Sequence, residues 1–245
     1  MAVTKKRTVQ ITAAALALTA ILTACGAKEP QEEYDYNIDM EQYENAIFAK
    51  DDAYLLLANK QNKLKSNYKP QKLSTIPGEL TLYGKEIELE STVALAAEAL
   101  VREMNACGYK DIRITSGYRS YEYQQSLFNT YLKQEKAAHP DWSQKQCEEL
   151  VLTYSAFPGT SEHQTGLCLD LISENHVSLD ESFAENPAYE WLCENAHHFG
   201  FILRYPEDKT DITGYAYEPW HYRFVGVKAA TEIQEKGITL EEYLD

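Results

Sequence analysis

The stretch SEHQTGLCLDLI, residues 161–172, changes character at Gly166, from a polar run to an apolar run of strand length. Loop followed by strand is the expected order, with His163 at the end of the loop and Asp170 inside the strand. A glycine at 166 lets the backbone turn in closely, so both side chains can face one cleft. A neutral imidazole and a carboxylate are both good zinc ligands. Two ligands are not a catalytic site, which takes three from the protein and keeps one open position, and the H-x-x-G-x-x-x-D spacing alone is a weak signal.

The chain on either side alternates helices and strands. Upstream, Ser91 or Thr92 is placed to cap a helix that turns Leu95, Ala96, Ala99, Leu100 and Met104 inward and ends at Gly108. DIRIT, from Asp111, has the alternation of a strand, and a helix from about Ser120 carries Leu127, Phe128, Tyr131 and Leu132 as its buried stripe. Ser143 and Gln146 form the capping box of a helix reaching Tyr154. Downstream, Asn186-Pro187 opens a helix that Gly200 closes, FILRY and WHYRFV are strands, and Thr239 and Glu242 cap a last short helix. Few strands mixed with helices, without a repeating unit, predict an α+β domain with a small antiparallel sheet flanked by helices.

A third ligand has to come from few candidates. His139 and His176 sit in polar segments and read as solvated, and the adjacent His197 and His198 read as cations capping a helix C-terminus. His221 differs, because it begins the strand WHYRFV three residues after Glu218, and the sheet can carry that strand beside the one holding Asp170. A hydrolytic metal site needs a base to take the proton of the attacking water, and a carboxylate that is near the metal but not bound to it can serve. Residues three apart on a straight strand face opposite sides, so the backbone is expected to turn at Pro219 to bring Glu218 and His221 into one cleft. A helical HExxH site is excluded by the reversed order and by the proline.

Composition bounds the partners. The 245 residues allow one sizeable domain plus tails, and 23 basic against 38 acidic residues, a formal charge of −15, argue against nucleic acid as a partner. Residues 1–24 read as an export leader: Lys5, Lys6 and Arg7 precede an apolar run too short for a comfortable membrane span. Leu22-Thr23-Ala24-Cys25 resembles the lipobox of bacterial lipoproteins, which implies a lipid on Cys25 and an extracytoplasmic, membrane-anchored protein. Residues 25–53 are strongly acidic with few aliphatics and read as a tether, so packing is expected from Tyr54-Leu55-Leu56-Leu57, a run of strand length, and the domain spans 54–245. Cys107, Cys147, Cys168 and Cys193 remain, with disulfides and free thiols equally open.

Four blocks carry a family resemblance: SGYRSYEYQ (116–124), PGTSEHQTGLCLD (158–170), WLCENAHHFGFILRYP (191–206) and YEPWHYRFVG (217–226). In order and spacing they resemble the signature blocks of the VanY-type zinc D-alanyl-D-alanine carboxypeptidases, and YLLLANK and NYKP resemble the start of the same catalytic domain. The resemblance implies a hedgehog/DD-peptidase-like zinc peptidase fold with one zinc ion held by His163, Asp170 and His221, and with Glu218 as catalytic base. Arg119 would face the scissile carbonyl or the terminal carboxylate of the substrate, and Gln124 and Ser161 would line the substrate cleft. The departure is Cys168, where an alanine is common in that family and where the side chain is expected on the face of Asp170. The implied activity is removal of the C-terminal D-alanine from peptidoglycan stem peptides. D-Ala-D-Ala cleavage is favoured, with LD-cleavage of tetrapeptide stems and non-catalytic binding of wall peptides as alternatives.

Overall fold

Among the described residues, 34–245 of the computed structural model, six strands form two antiparallel sheets. The expected leader and Cys25 lie outside these residues. β1 (Leu73–Thr75) and β2 (Glu88–Glu90) pair with each other. β3 (Ile112–Ser116), β4 (Cys168–Ser173), β5 (Phe201–Leu203) and β6 (His221–Phe224) form the larger sheet in the order β3-β4-β6-β5. β4 has strands on both edges and every one of its six residues is buried, which explains its nearly unbroken apolar sequence. This is the α+β architecture with a small antiparallel sheet.

The helices surround that sheet. They are α1 (Glu44–Ile47), α2 (Ser91–Ala106), α3 (Tyr121–Ala138), α4 (Gln144–Tyr154), α5 (Pro187–Asn195), α6 (Thr210–Thr213), α7 (Val227–Lys236) and α8 (Leu240–Leu244). The long α2 packs against β3, the small sheet and the turn 196–199. Its buried face runs through Val93, Ala96, Ala97, Leu100, Val101 and Met104, at helical spacing. Leu95, expected inward, is 41% exposed because it falls one residue off that stripe. The expected Ser91 or Thr92 cap is replaced by Glu90, the last residue of β2, whose carboxylate accepts the Thr92 and Val93 amides at 2.8 and 3.2 Å. The capping boxes at Ser143/Gln146 and Thr239/Glu242 form as expected, and Asn186 caps α5 with Pro187 at its first position. The helix α7 was not anticipated.

Two further expectations change. Tyr54–Leu57 is not a strand: Asp51 accepts the Ala53 amide at 2.8 Å and starts a 3-10 turn over Asp52–Leu55. The acidic segment before it is not a tether throughout, since Asp35–Asp245 form one compact unit. The Asn37 amide and side chain donate to the Glu103 carboxylate, the Tyr43 hydroxyl donates to Glu98 at 3.0 Å, and Tyr43, Ala46 and Ile47 are buried, with α1 lying on α2. The acidic residues of this segment stay in water, while its few aromatic and aliphatic side chains supply the buried surface.

This packing makes a measurable difference between a tether and a structural element. Ile47→Ala removes a fully buried side chain and is expected to cost about 2–4 kcal/mol of unfolding free energy, read as a lower denaturant midpoint. An unchanged midpoint would return residues 35–53 to the status of a tether.

Candidate metal centre and cleft

His163 sits in a 3-10 turn, Glu162–Thr165, that Gly166 closes at φ +68°. A Cβ at Gly166 would lie 3.0 Å from Pro70 Cγ and 3.1 Å from the Glu90 nitrogen, so both the dihedral and the space favour glycine. After this turn the chain enters β4, and the register sets Asp170 directly opposite His221 on β6. The three side chains meet: His163 Nε2 is 3.3 Å from Asp170 Oδ2, and His221 Nδ1 is 3.0 Å from Asp170 Oδ1. Donors about 2.0–2.1 Å from a tetrahedral cation stand about 3.3 Å apart, so this spacing fits a bound metal ion.

The outer nitrogens fix which lone pairs face the cluster. His163 Nδ1 donates to the Gly117 carbonyl at 2.7 Å, leaving Nε2 to face Asp170. Gly117 is held there because a Cβ would come within 2.5 Å of the Glu88 carbonyl oxygen. His221 Nε2 lies 3.5 Å from Glu162 Oε2, leaving Nδ1 inward. Glu162 has no exposed side-chain surface; its Oε1 accepts from Arg204 Nε and Arg223 Nη1, each at 2.8 Å. Burial alone would favour the neutral acid, but the two guanidiniums hold Glu162 well below the usual carboxylate range.

The cluster attracts positive charge. Burial and Arg119 work against protonation of His163, yet Cys168 and Asp170 outweigh them and push it up to about 9. His221 is raised too, against its own burial, by Cys168, Asp170 and Glu162. Asp170 is held far below its ordinary value by the two imidazoles, although burial opposes this. A metal ion bound by these donors would have to displace those protons, so its binding would release protons and strengthen as pH rises.

The rest of the predicted site surrounds this centre. A turn at Pro219-Trp220, closed by the His221 amide on the Glu218 carbonyl at 3.1 Å, returns Glu218 to the cleft with Oε2 3.8 Å from His221 Nδ1. Arg119, Gln124, Ser161, His163, Glu218 and His221 all line one cleft of about 90 Å³, together with Tyr131, Tyr154, Tyr205 and Tyr215. The Arg119 amide donates to the His163 carbonyl at 3.0 Å. Its Nε and the Oε1 of Gln124 are buried without a hydrogen-bond partner.

The remaining histidines stay outside. His139 stacks on Trp142 and His176 bonds Ser182. His197 and His198 are not the expected helix-capping cations, because burial pushes both down, His198 to about 4. Cys107, Cys147, Cys168 and Cys193 are free thiols. Cys168 adjoins the centre: its sulfur and the ring nitrogens of His163 and His221 lie within 4.8 Å of one another. Sequence reasoning passed over Glu162, Arg204 and Arg223; the available signal was an arginine in each of the largely apolar stretches FILRY and WHYRFV, which is not readily buried without a carboxylate.

A family model described as "VanY: D-alanyl-D-alanine carboxypeptidase" matches residues 86–227. The D-alanyl-D-alanine carboxypeptidase of Enterococcus faecalis is 39% identical over 191 residues, and the match covers 78% of this chain and 65% of that one. The chain therefore spans about two thirds of that relative. Among solved structures, the LdcB LD-carboxypeptidase superposes with a TM-score of 0.68 at 38% identity, over 78% of this chain and 85% of that one. A vancomycin-resistance D,D-pentapeptidase VanY variant in complex with Zn(II) superposes with a TM-score of 0.65 at 36% identity, over 79% and 99%. With the family match extending over most of the domain that holds the centre, this chain belongs to the VanY family of D-alanyl-D-alanine carboxypeptidases.

Proposed function

We propose that the protein is a zinc metallo-carboxypeptidase that removes the C-terminal D-alanine from peptidoglycan stem peptides, with D-Ala-D-Ala as the favoured bond. The observation that carries this reading is a metal-spaced group of two imidazoles and a carboxylate, with a second carboxylate beside it in the same cleft. His163 Nε2, Asp170 and His221 Nδ1 would hold the ion. When bound, zinc supplies Lewis acidity, polarising the scissile carbonyl and easing loss of a proton from the attacking water. Glu218 takes that proton and passes it to the departing amine of D-alanine; burial raises its pKa and so suits it to this exchange. Arg119 offers an unpartnered guanidinium nitrogen to the free carboxylate at the end of the stem, a match for its planar fork. Gln124 Oε1 and Ser161 line the path of the peptide backbone.

A second reading, LD-cleavage of tetrapeptide stems, has the likeness to LdcB in its favour. Both are separated by mass spectrometry of defined pentapeptide and tetrapeptide stems incubated with residues 34–245. The expected result is loss of one alanine from the pentapeptide, abolished by a chelator and restored by zinc. Faster trimming of the tetrapeptide would transfer the assignment to the LD reaction, and unchanged masses for both with zinc-loaded protein would end the carboxypeptidase reading. Glu218→Gln should retain zinc while losing at least about 100-fold in rate, the scale of a general-base contribution.

The reading of residues 1–25 extends to location: a lipid on Cys25 would hold the enzyme at the extracytoplasmic face of the membrane, within reach of the wall. Support comes from the basic, apolar and small-residue pattern that ends at Cys25. Cys25→Ser should move the protein from the detergent phase to the aqueous phase in a phase-separation assay, and a native chain found only in the aqueous phase would refute the anchor.

A further inference from the structure

Cys168 takes no part in the chemistry assigned above, yet its surroundings are not those of a packing residue. It lies two positions before Asp170 on β4, so both side chains leave the strand on the same face, beneath His163 and His221. The side chain is fully buried. His163, Cys168 and His221 bring two ring nitrogens and one sulfur within 4.8 Å of one another. Donors about 2.3 Å (sulfur) and 2.1 Å (nitrogen) from a tetrahedral cation stand about 3.6 Å apart. Closing the widest of these separations by about 1 Å would thus complete a sulfur-containing site, a movement within reach of small side-chain rotations.

We propose that Cys168 supplies a thiolate donor to the same metal centre, so that the two imidazoles serve a second donor set, His163, Cys168 and His221. This inference rests on the metal-centre reading given above. On binding, the thiol gives its proton to solvent and the sulfur lone pair bonds the cation. Thiolate favours soft and borderline divalent ions, so the centre discriminates for cadmium, zinc and cobalt against oxygen-preferring ions such as manganese and magnesium more strongly than two imidazoles and a carboxylate would.

Cobalt(II) makes the sulfur visible. The full-length protein, stripped with a chelator and reloaded with cobalt(II), is expected to show both visible ligand-field bands and a near-ultraviolet thiolate-to-cobalt charge-transfer band. Cys168→Ala and Cys168→Ser should each keep the ligand-field bands, which reports an intact folded site, and lose the charge-transfer band. In competition titrations the same variants should lose at least about tenfold of the preference for cadmium over manganese. Ligand-field bands without charge transfer in the native protein would overturn the role of Cys168 and leave the metal centre standing. A charge-transfer band that survives both variants would assign the sulfur elsewhere and also overturn it. Absence of both bands in cobalt-treated native protein would remove the metal-centre reading, and this inference with it.

Discussion

The carboxylate of Glu162, cut off from water and shared by two guanidiniums, is the interaction on which the remainder of the site depends. Isolating one ion in a protein interior is strongly unfavourable, and the attraction of a single partner does not reliably offset it. Here the compensation is distributed. Arg204 also bonds Glu241 on α8 at 2.6 and 2.8 Å, and Arg223 also donates to the carbonyls of Tyr54 and Leu56 at 2.9 and 2.7 Å. Two positive and two negative side chains thereby form one neutral network that joins the start of the domain, β6, the end of β5 and the last helix. With one oxygen of Glu162 taken by the arginines, the other is left for His221. A long-range electrostatic bond thus becomes a choice of which imidazole nitrogen faces the cleft.

The two sides of the centre are built to opposite rules. On the inner side the hydrogen-bonding capacity is used: Gly117 takes one nitrogen of His163, Glu162 faces one of His221, and Glu162 itself is held by both arginines. On the cleft side it is left open, with Arg119 Nε and Gln124 Oε1 lacking partners and Glu218 partly exposed. Buried polar groups without partners are disfavoured by about 1–3 kcal/mol each, so they persist where a ligand can satisfy them. Rigid support beneath and unmet demand above is the arrangement that lets a site hold its shape while keeping binding capacity for a substrate.

Much of this was legible in the chain and some was not, for physical reasons. The elements with strong local signals, such as the Ser143/Gln146 capping box and the Asn186-Pro187 helix start, formed where expected because a cap is satisfied by residues three or four positions away. Residue chemistry and the expected turn at Pro219 made His163, Asp170, Glu218 and His221 candidates, and the four-block family resemblance joined them into one set. The packing of residues 36–48 was not, since their composition is that of a solvated tail, and what orders them is a buried partner, Glu103, far along the chain on α2. Glu162 was overlooked for the same reason: its role exists only through Arg204 and Arg223, and neither arginine has a local signature that names its partner.

The antiparallel pairing of β4 with β6 accounts for how so compact a centre arises from scattered residues. Asp170 and His221 are 51 positions apart, yet as Cα partners across the ladder they need no specialised loop to meet. Because side chains alternate along each strand, the face that carries Asp170 also carries position 168, two residues earlier, at the edge of the same cluster. A residue there with no hydrogen-bonding or ligating atom would be inert packing. A thiol at the same place is brought near His221 by this register and near His163 by the turn that precedes β4, so the arrangement that assembles the centre also makes the chemistry of residue 168 bear on it.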